Sequence, residues 1–204
     1  MKQRKILTIL EFKSSLIQDE AGVSKGVQTV MASSKDQPLV VVAGMGKTEE
    51  RLLEAGEKSA DQDLVLASTL AEGARTFHMQ VARQLTSNQV WTETQNFLSE
   101  LYEEFSDLLQ GLYLIGELGP QGKRILSSYA ERASVLIFAQ ALKEKGVQAQ
   151  PVCGRQVYLA NSAHISKSFH EKAVADFRQE ISFLSKSETI PVISSSLRSI
   201  AAEG

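Results

Sequence analysis

The residues best placed to do chemistry are those of Val41-Val42-Ala43-Gly44-Met45-Gly46-Lys47-Thr48, where an apolar run ends in two glycines, a lysine and a hydroxyl. A phosphate-binding loop sits in this setting, between a strand and a helix, and wraps phosphate oxygens with backbone N–H groups. It needs Gly-x-x-x-x-Gly-Lys-[Ser/Thr]. The first glycine of that pattern would fall on Val41, so the loop is too short and enters from a β-branched residue. A nucleotide hydrolase of this type is therefore the weaker reading, and a strand-to-helix turn with a solvated Lys47 is the plainer one. The dinucleotide fingerprint fails as well, because Glu49 stands where its third glycine belongs.

Other candidates are sparse. His78, His164 and His170 lack the i, i+4 pairing of a metal site, and Cys153 is the only cysteine, so no metal is expected and the three imidazoles read as surface or partly buried groups. Cys153 has no adjacent histidine or basic cluster to lower its pKa, which favours an inert thiol over a nucleophile. No Gly-x-Ser-x-Gly elbow surrounds Ser127-Ser128 or Ser194-Ser195-Ser196. Glu131-Arg132, on chemistry alone, reads as a solvated surface pair.

These residues are set in an ordinary soluble composition. The chain has 204 residues, with 22 basic against 24 acidic, and that near balance gives no field aimed at nucleic acid or an anionic membrane. The opening run Ile6–Leu10 is closed by Glu11 and Lys13, too early for a signal peptide, and nothing approaches the ~20 apolar residues of a membrane helix. One unpaired cysteine fits a reducing compartment, so the expected location is cytoplasmic, with the mature form of an organellar protein as the alternative.

Strands and helices alternate. Ile6–Phe12 reads as a buried strand, and Pro38–Ala43 as a central strand of a parallel sheet, apolar throughout because both faces are covered. Helical spacing marks 20–32, a helix opening near Thr48, and a long block over 61–109 broken near Ser87-Asn88. In that block Leu64, Leu66, Leu70, Ala74, Phe77, Val81 and Leu85 trace one face, and Trp91, Phe97, Leu98, Leu101, Phe105 and Leu108 another. A helix begins at Gly119-Pro120, with proline where its missing N–H costs little, and runs to Leu142. Gln148–Val152 is a strand, Phe169–Leu184 a helix, Thr189–Ile193 a last strand, and a small polar tail follows. The expected fold is α/β, a three-layer sandwich with a mainly parallel sheet, right-handed crossovers and a helical hairpin insertion. No linker divides the chain, so residues 1–204 read as a single domain.

Several segments resemble the aspartate kinases of the amino acid kinase family. Pro38-Leu-Val-Val-Val-Ala-Gly-Met-Gly-Lys-Thr-Glu-Glu-Arg-Leu-Leu53 is similar to that family's Val-Val-Val-Ser-Ala-Met-Gly-Lys-Thr-Thr-Asp followed by a Leu-Leu pair. Ile125-Leu-Ser-Ser-Tyr-Ala-Glu131-Arg132-Ala133-Ser134 is similar to its Leu-Leu-Ser-Phe-Gly-Glu-Arg-Leu-Ser helix. The run from Ala139 to Ala149 and the strand Thr189-Ile-Pro-Val-Ile193 match in order and spacing. The resemblance implies the amino acid kinase (carbamate kinase-like) fold and ATP-dependent phosphorylation of the aspartate β-carboxylate, an amino-acid-biosynthetic reaction using ATP with Mg.

The resemblance also carries departures. The family's opening strand ends Lys-Phe-Gly-Gly-Thr-Ser-Val; here Glu11 stands at the lysine position, with Lys13 and Ser14 in place of the glycines. Loss of one charge-stabilising donor lowers a rate by about 10²–10³, and an inverted charge costs more. Ala43 replaces a serine that contacts substrate, whereas Thr48 and Glu131 are kept and are the expected aspartate-binding residues. Lys13, Ser14, Ser15 and Lys47 are the phosphate-proximal candidates. The family's Gly-Arg-Gly-Gly-Ser-Asp turn has no counterpart after Ile193, and Arg198 is out of context to replace its arginine. The expectation is a substrate-side lobe, with the nucleotide lobe and regulatory domains absent, catalytically impaired or inactive alone. The alternative is half of a split kinase completed by another chain. A homodimer or another kinase chain is the expected partner, on the ground that apolar surface around Ile190, Val192 and Ile193 would lie open and that the helices over 61–109 carry more apolar residues than one sheet face needs; the alternative is that the tail from Ser194 folds back and covers that edge.

Overall fold

A computed structural model of the chain describes residues 8–160 and 166–202. Four parallel strands form the sheet: β1 (Ile9–Phe12), β2 (Leu39–Val42), β3 (Ala149–Val152) and β4 (Ile190–Ser194), in the order β1-β2-β4-β3. Register pairs Glu11 with Val41, Val40 with Val192, and Val152 with Ile193. Ile6 and Leu7, expected in β1, and His164 lie outside the described residues.

Side chains alternate across a strand, and β2 shows the result. Val40 and Val42 enter the larger core with Phe12, Ile190 and Val192, beneath α1 (Glu20–Ala32) and α5 (Pro120–Glu144). Leu39 and Val41 enter a smaller core with Val152 and Ile193, beneath α6 (Arg155–Ala160) and α7 (Lys167–Lys186). Helices thus cover both faces, and the continuous apolar reading of β2 has its cause. The handedness rule accounts for which helices go where. Crossovers running from β1 towards β3 place α1 to α5 on one face, and the return from β3 to β4 places α7 on the other.

Helix ends follow the local chemistry. Asp19 accepts from Gly22 N at the start of α1, and Asp63 from Leu66 N at the start of α3 (Leu64–Leu85). α2 (Thr48–Ala60) opens on the Gly46-Lys47 turn. α4 (Asn88–Ile115) stops at Gly116, whose φ of 71° is the left-handed value that glycine tolerates. α3 and α4 form the expected antiparallel hairpin and pack on α2 and α5.

The structure corrects four expectations. The buried stripe of α3 is Ala67, Ala71, Ala74, His78, Val81 and Ala82, a small-residue seam that lets helices approach closely, whereas Leu66 is partly exposed. Phe97 on α4 is likewise 42% exposed. His78 is no surface group: it is fully buried, with Nδ1 2.6 Å from the Tyr102 hydroxyl. β4 is no open edge either. It lies between β2 and β3 with Ile190, Val192 and Ile193 all buried, and the tail after it folds into a 3-10 turn (Ser195–Leu197) and α8 (Arg198–Ala202). Leu197 is buried against Val157 and Phe177 in the smaller core, so the supposed polar tail has an apolar face. Among the described residues no helix is long and apolar enough to cross a membrane.

Candidate functional site

Parallel strands leave their C-terminal ends along one edge, where α/β proteins bind ligands. Here that edge collects Glu11 and Phe12, the Ala43-Gly44-Met45 turn, Val152-Cys153-Gly154 and Ser194-Ser195-Ser196, with Glu131 brought up from the middle of α5.

Glu131 is buried, 6% exposed, and its carboxylate is fully engaged from within the chain. Oε1 accepts from Ser195 Oγ at 2.5 Å and from Ser196 N at 3.2 Å. Oε2 accepts from the Tyr158 hydroxyl at 3.0 Å and from Ser196 Oγ. The Tyr158 and Ser196 hydroxyls also lie 2.7 Å apart, so one of them donates to the other and the remaining hydroxyl proton is the one that Oε2 accepts. Tyr158 is correspondingly pushed up, first by burial and then by the Glu131 charge. Arg132, next in sequence, points elsewhere: it is 7% exposed, reaches Glu104 through Nη1 and Nη2 at 3.5 and 3.4 Å, and stacks 4.9 Å over the Tyr129 ring. The Glu-Arg pair is therefore not a solvated surface pair; each member is buried with separate partners.

Ser134, one helical turn on, accepts from Met45 N at 2.8 Å while donating to Ala130 O. This bond ties the Gly44-Met45 turn to α5. Thr48 is buried and donates its hydroxyl back to Met45 O at 2.7 Å, closing the same turn.

Two cavities flank this turn. One, of about 420 Å³, is lined by Ser14, Ser15, Gly46, Lys47, Thr48, Arg51 and Phe77. It brings together three of the four phosphate-proximal candidates; Lys13 is exposed and does not line it. The other, of about 370 Å³, is lined by Glu49, Leu53, Arg124, Glu131, Tyr158 and Leu197, among others. Thr48 and Glu131 thus open onto different cavities. Glu49 is held above the usual carboxylate range by burial and by the neighbouring Glu131 charge, against a hydrogen bond from Ser127.

Glu11 is bound by Arg198, whose Nη1 lies 2.6 Å from Oε2. Sequence reasoning set Arg198 aside; only the fold of the tail brings it to β1. Cys153 is half-buried, and burial pushes its thiol up, in keeping with an inert group. Among the described residues no group of three or more His, Cys, Asp or Glu is placed to hold a metal ion.

No protein-family model matches the chain. Sequence comparison finds Aspartokinase 1, chloroplastic, of Arabidopsis thaliana, 25% identical over 150 residues, which is 72% of this chain and 25% of that protein. Aspartokinase 3, chloroplastic, of the same plant is 24% identical over 148 residues, again 72% of this chain and 26% of the relative. The fold matches E. coli aspartokinase III in complex with aspartate and ADP, with a TM-score of 0.71 and 18% identity over 92% of this chain and 40% of that one. The chain is a distant relative of the aspartokinases. The complex of the E. coli enzyme with lysine and aspartate matches equally well, with a TM-score of 0.70. The aspartokinase-like chain spans about a quarter of the length of its plant relatives. It has the α/β fold with a parallel sheet that the resemblance implied.

Proposed function

We propose that this is an aspartokinase-like protein that keeps an amino-acid site on the substrate side of the fold and does not transfer phosphate on its own. The observation that carries the reading is the state of Glu131. Tyr158, Ser195 and Ser196 already hydrogen-bond both of its oxygens from within the chain, in competition with the ammonium of a bound aspartate in the family's manner. Two further features support it. Thr48 spends its hydroxyl on Met45 O, and Glu11 places a carboxylate where the family pattern has a lysine, with Arg198 neutralising it. Phosphoryl transfer works by positioning and charge neutralisation, and none of these groups is free for either. An E. coli aspartokinase carries aspartate and ADP, so a nucleotide with Mg is the cofactor this chain would take if active. The cavity of Ser14, Ser15, Lys47 and Thr48 is the place for its phosphates, and the single cysteine suits the cytoplasm.

The test is a coupled assay with aspartate and Mg·ATP, paired with calorimetry of each ligand alone. No turnover is expected; rates of roughly 1–100 s⁻¹ would overturn the proposal. Any residual activity should rise in Glu11→Lys, and aspartate heat that is lost in Thr48→Ala or Glu131→Ala would overturn the reading that both groups are spent internally. A second reading, half of a split kinase completed by another chain, is favoured by the exposed Val65, Leu114 and Ile115 at one end of the α3–α4 hairpin.

A further inference from the structure

The cavity beside Glu131 is a finished site of its own, built differently from a site for a dicarboxylic substrate. It lies between α2, α5, α6 and the segment leading into α8. Leu53, Val157, Leu197 and Ile200 form apolar walls, and its volume of about 370 Å³ falls within the range of small-molecule pockets, roughly 300–1,000 Å³. Two carboxylates face it, in unequal states. Glu131 is hydrogen-bonded on both oxygens by the group Tyr158, Ser195 and Ser196. Glu49 has one side-chain donor, Ser127, and is half-buried beside another negative charge. It is the carboxylate that gains from a cation.

Two cations stand at the rim and they too differ. Lys123 is committed to Glu57, with Nζ 2.6 Å from Oε1. Arg124 bonds only the neutral amide oxygen of Gln121, through Nε at 3.1 Å and Nη2 at 2.5 Å, and among the described residues no carboxylate pairs with it. The site therefore offers one open anion, one open cation and an apolar interior between helices.

We propose that this cavity binds a small α-amino acid with an apolar side chain, its ammonium on Glu49, its carboxylate on Arg124 and its side chain among Leu53, Val157, Leu197 and Ile200. The inference rests on the reading of this region as an amino-acid site and changes the ligand class. A second carboxylate, as in aspartate, would meet apolar walls and the field of Glu49 and Glu131 with no second open cation, and a buried unpaired charge is strongly disfavoured.

The experiment is calorimetry on the full chain with three probes: L-leucine, L-aspartate, and isoamylamine, which is leucine without its carboxylate. Leucine is expected to bind at least tenfold more tightly than either of the others. Glu49→Gln and Arg124→Gln should each weaken leucine at least tenfold. Glu49 is half-buried and Arg124 is exposed, and circular dichroism verifies that the variants fold. No leucine heat up to about 10 mM, aspartate or isoamylamine binding as tightly as leucine, or leucine affinity unchanged in both variants, would each overturn the inference. Aspartate heat without leucine heat sinks this ligand class and leaves the proposed function standing. Kinase turnover together with leucine bound through Glu49 does the reverse.

Discussion

Arg198 Nη1 lies 2.6 Å from Glu11 Oε2, joining the first turn of α8 to the edge strand β1 across almost the full length of the sequence. Glu11 is 31% and Arg198 50% exposed, so solvent screens the pair and its worth is about 0.2–1 kcal/mol. Glu11→Lys should cost slightly more, since it sets two cations together, and Glu11→Lys with Arg198→Glu should recover most of the loss. A double-mutant cycle by urea unfolding measures this. Purely additive effects would mean that the pair contributes nothing.

The buried imidazole of His78 makes stability depend on pH. Burial lowers its pKa from 6.5 to about 3. Above about pH 6.5 the ring is neutral in both folded and unfolded chains and contributes no pH dependence. Below that, the unfolded chain takes up a proton that the native ring refuses. Stability is therefore lost as pH falls from 6.5 towards 3, at about 1.4 kcal/mol per unit from this group. His78→Leu removes that slope but strands the Tyr102 hydroxyl, at a cost of about 1–3 kcal/mol at pH 7; adding Tyr102→Phe should return most of it. Denaturant titrations at several pH values distinguish the three proteins.

Two helical glycines should respond oppositely to alanine. At Gly56 in α2 a Cβ would meet Leu126 Cδ1 at 2.2 Å, and Leu126 is fully buried with nowhere to turn. Overpacking of about 1–3 kcal/mol outweighs the propensity gain of about 1 kcal/mol, so Gly56→Ala destabilises. At Gly111 in α4 nothing lies within 4 Å of the added methyl. Gly111→Ala should stabilise by roughly 0.5–1 kcal/mol. Thermal denaturation with the same sign for both would refute the packing argument.

Val65, Leu114 and Ile115 are 81%, 82% and 73% exposed at the same end of the α3–α4 hairpin, where Gln62 Nε2 bonds Tyr113 O. If a second chain docks here, sedimentation at micromolar concentration shows a species above 22.4 kDa that Leu114→Lys with Ile115→Lys returns to the monomer mass. That is the expected outcome. A monomer in both proteins would exclude this surface.

The elements were legible in the sequence because their causes are local. β2 is apolar at every position since both its faces are covered, and Pro120 and Gly116 bracket a helix boundary by backbone geometry alone. What remained hidden depends on distant contacts. The ring of His78 gave no sign of burial by residue type. Its spacing did, since it falls at i+4 from Ala74 and i−4 from Ala82 in the alanine seam. Glu131 was singled out from the resemblance, but its capture by Ser195 and Ser196 depends on how the tail folds back, which residue types in a polar tail do not specify. Glu49 stood out only as the residue that breaks a glycine fingerprint; as an acid in the first turn of α2 its type is explained locally.

The position of β4 bears on how the chain comes to be folded during its own synthesis. β4 is made last of the strands yet fits between β2 and β3, pairing Val40 with Val192 and Val152 with Ile193. A chain ending before Ile190 has β2 and β3 with no direct partner in each other, so the β1–β2 pair and a lone β3 wait, each with unpaired backbone, until β4 arrives between them. Pairings across such sequence distances form slowly, and unpaired edges invite aggregation. β4 thus acts as the wedge that closes the sheet, and a ribosome stalled ahead of Ile190 holds an unfinished sheet rather than a smaller one.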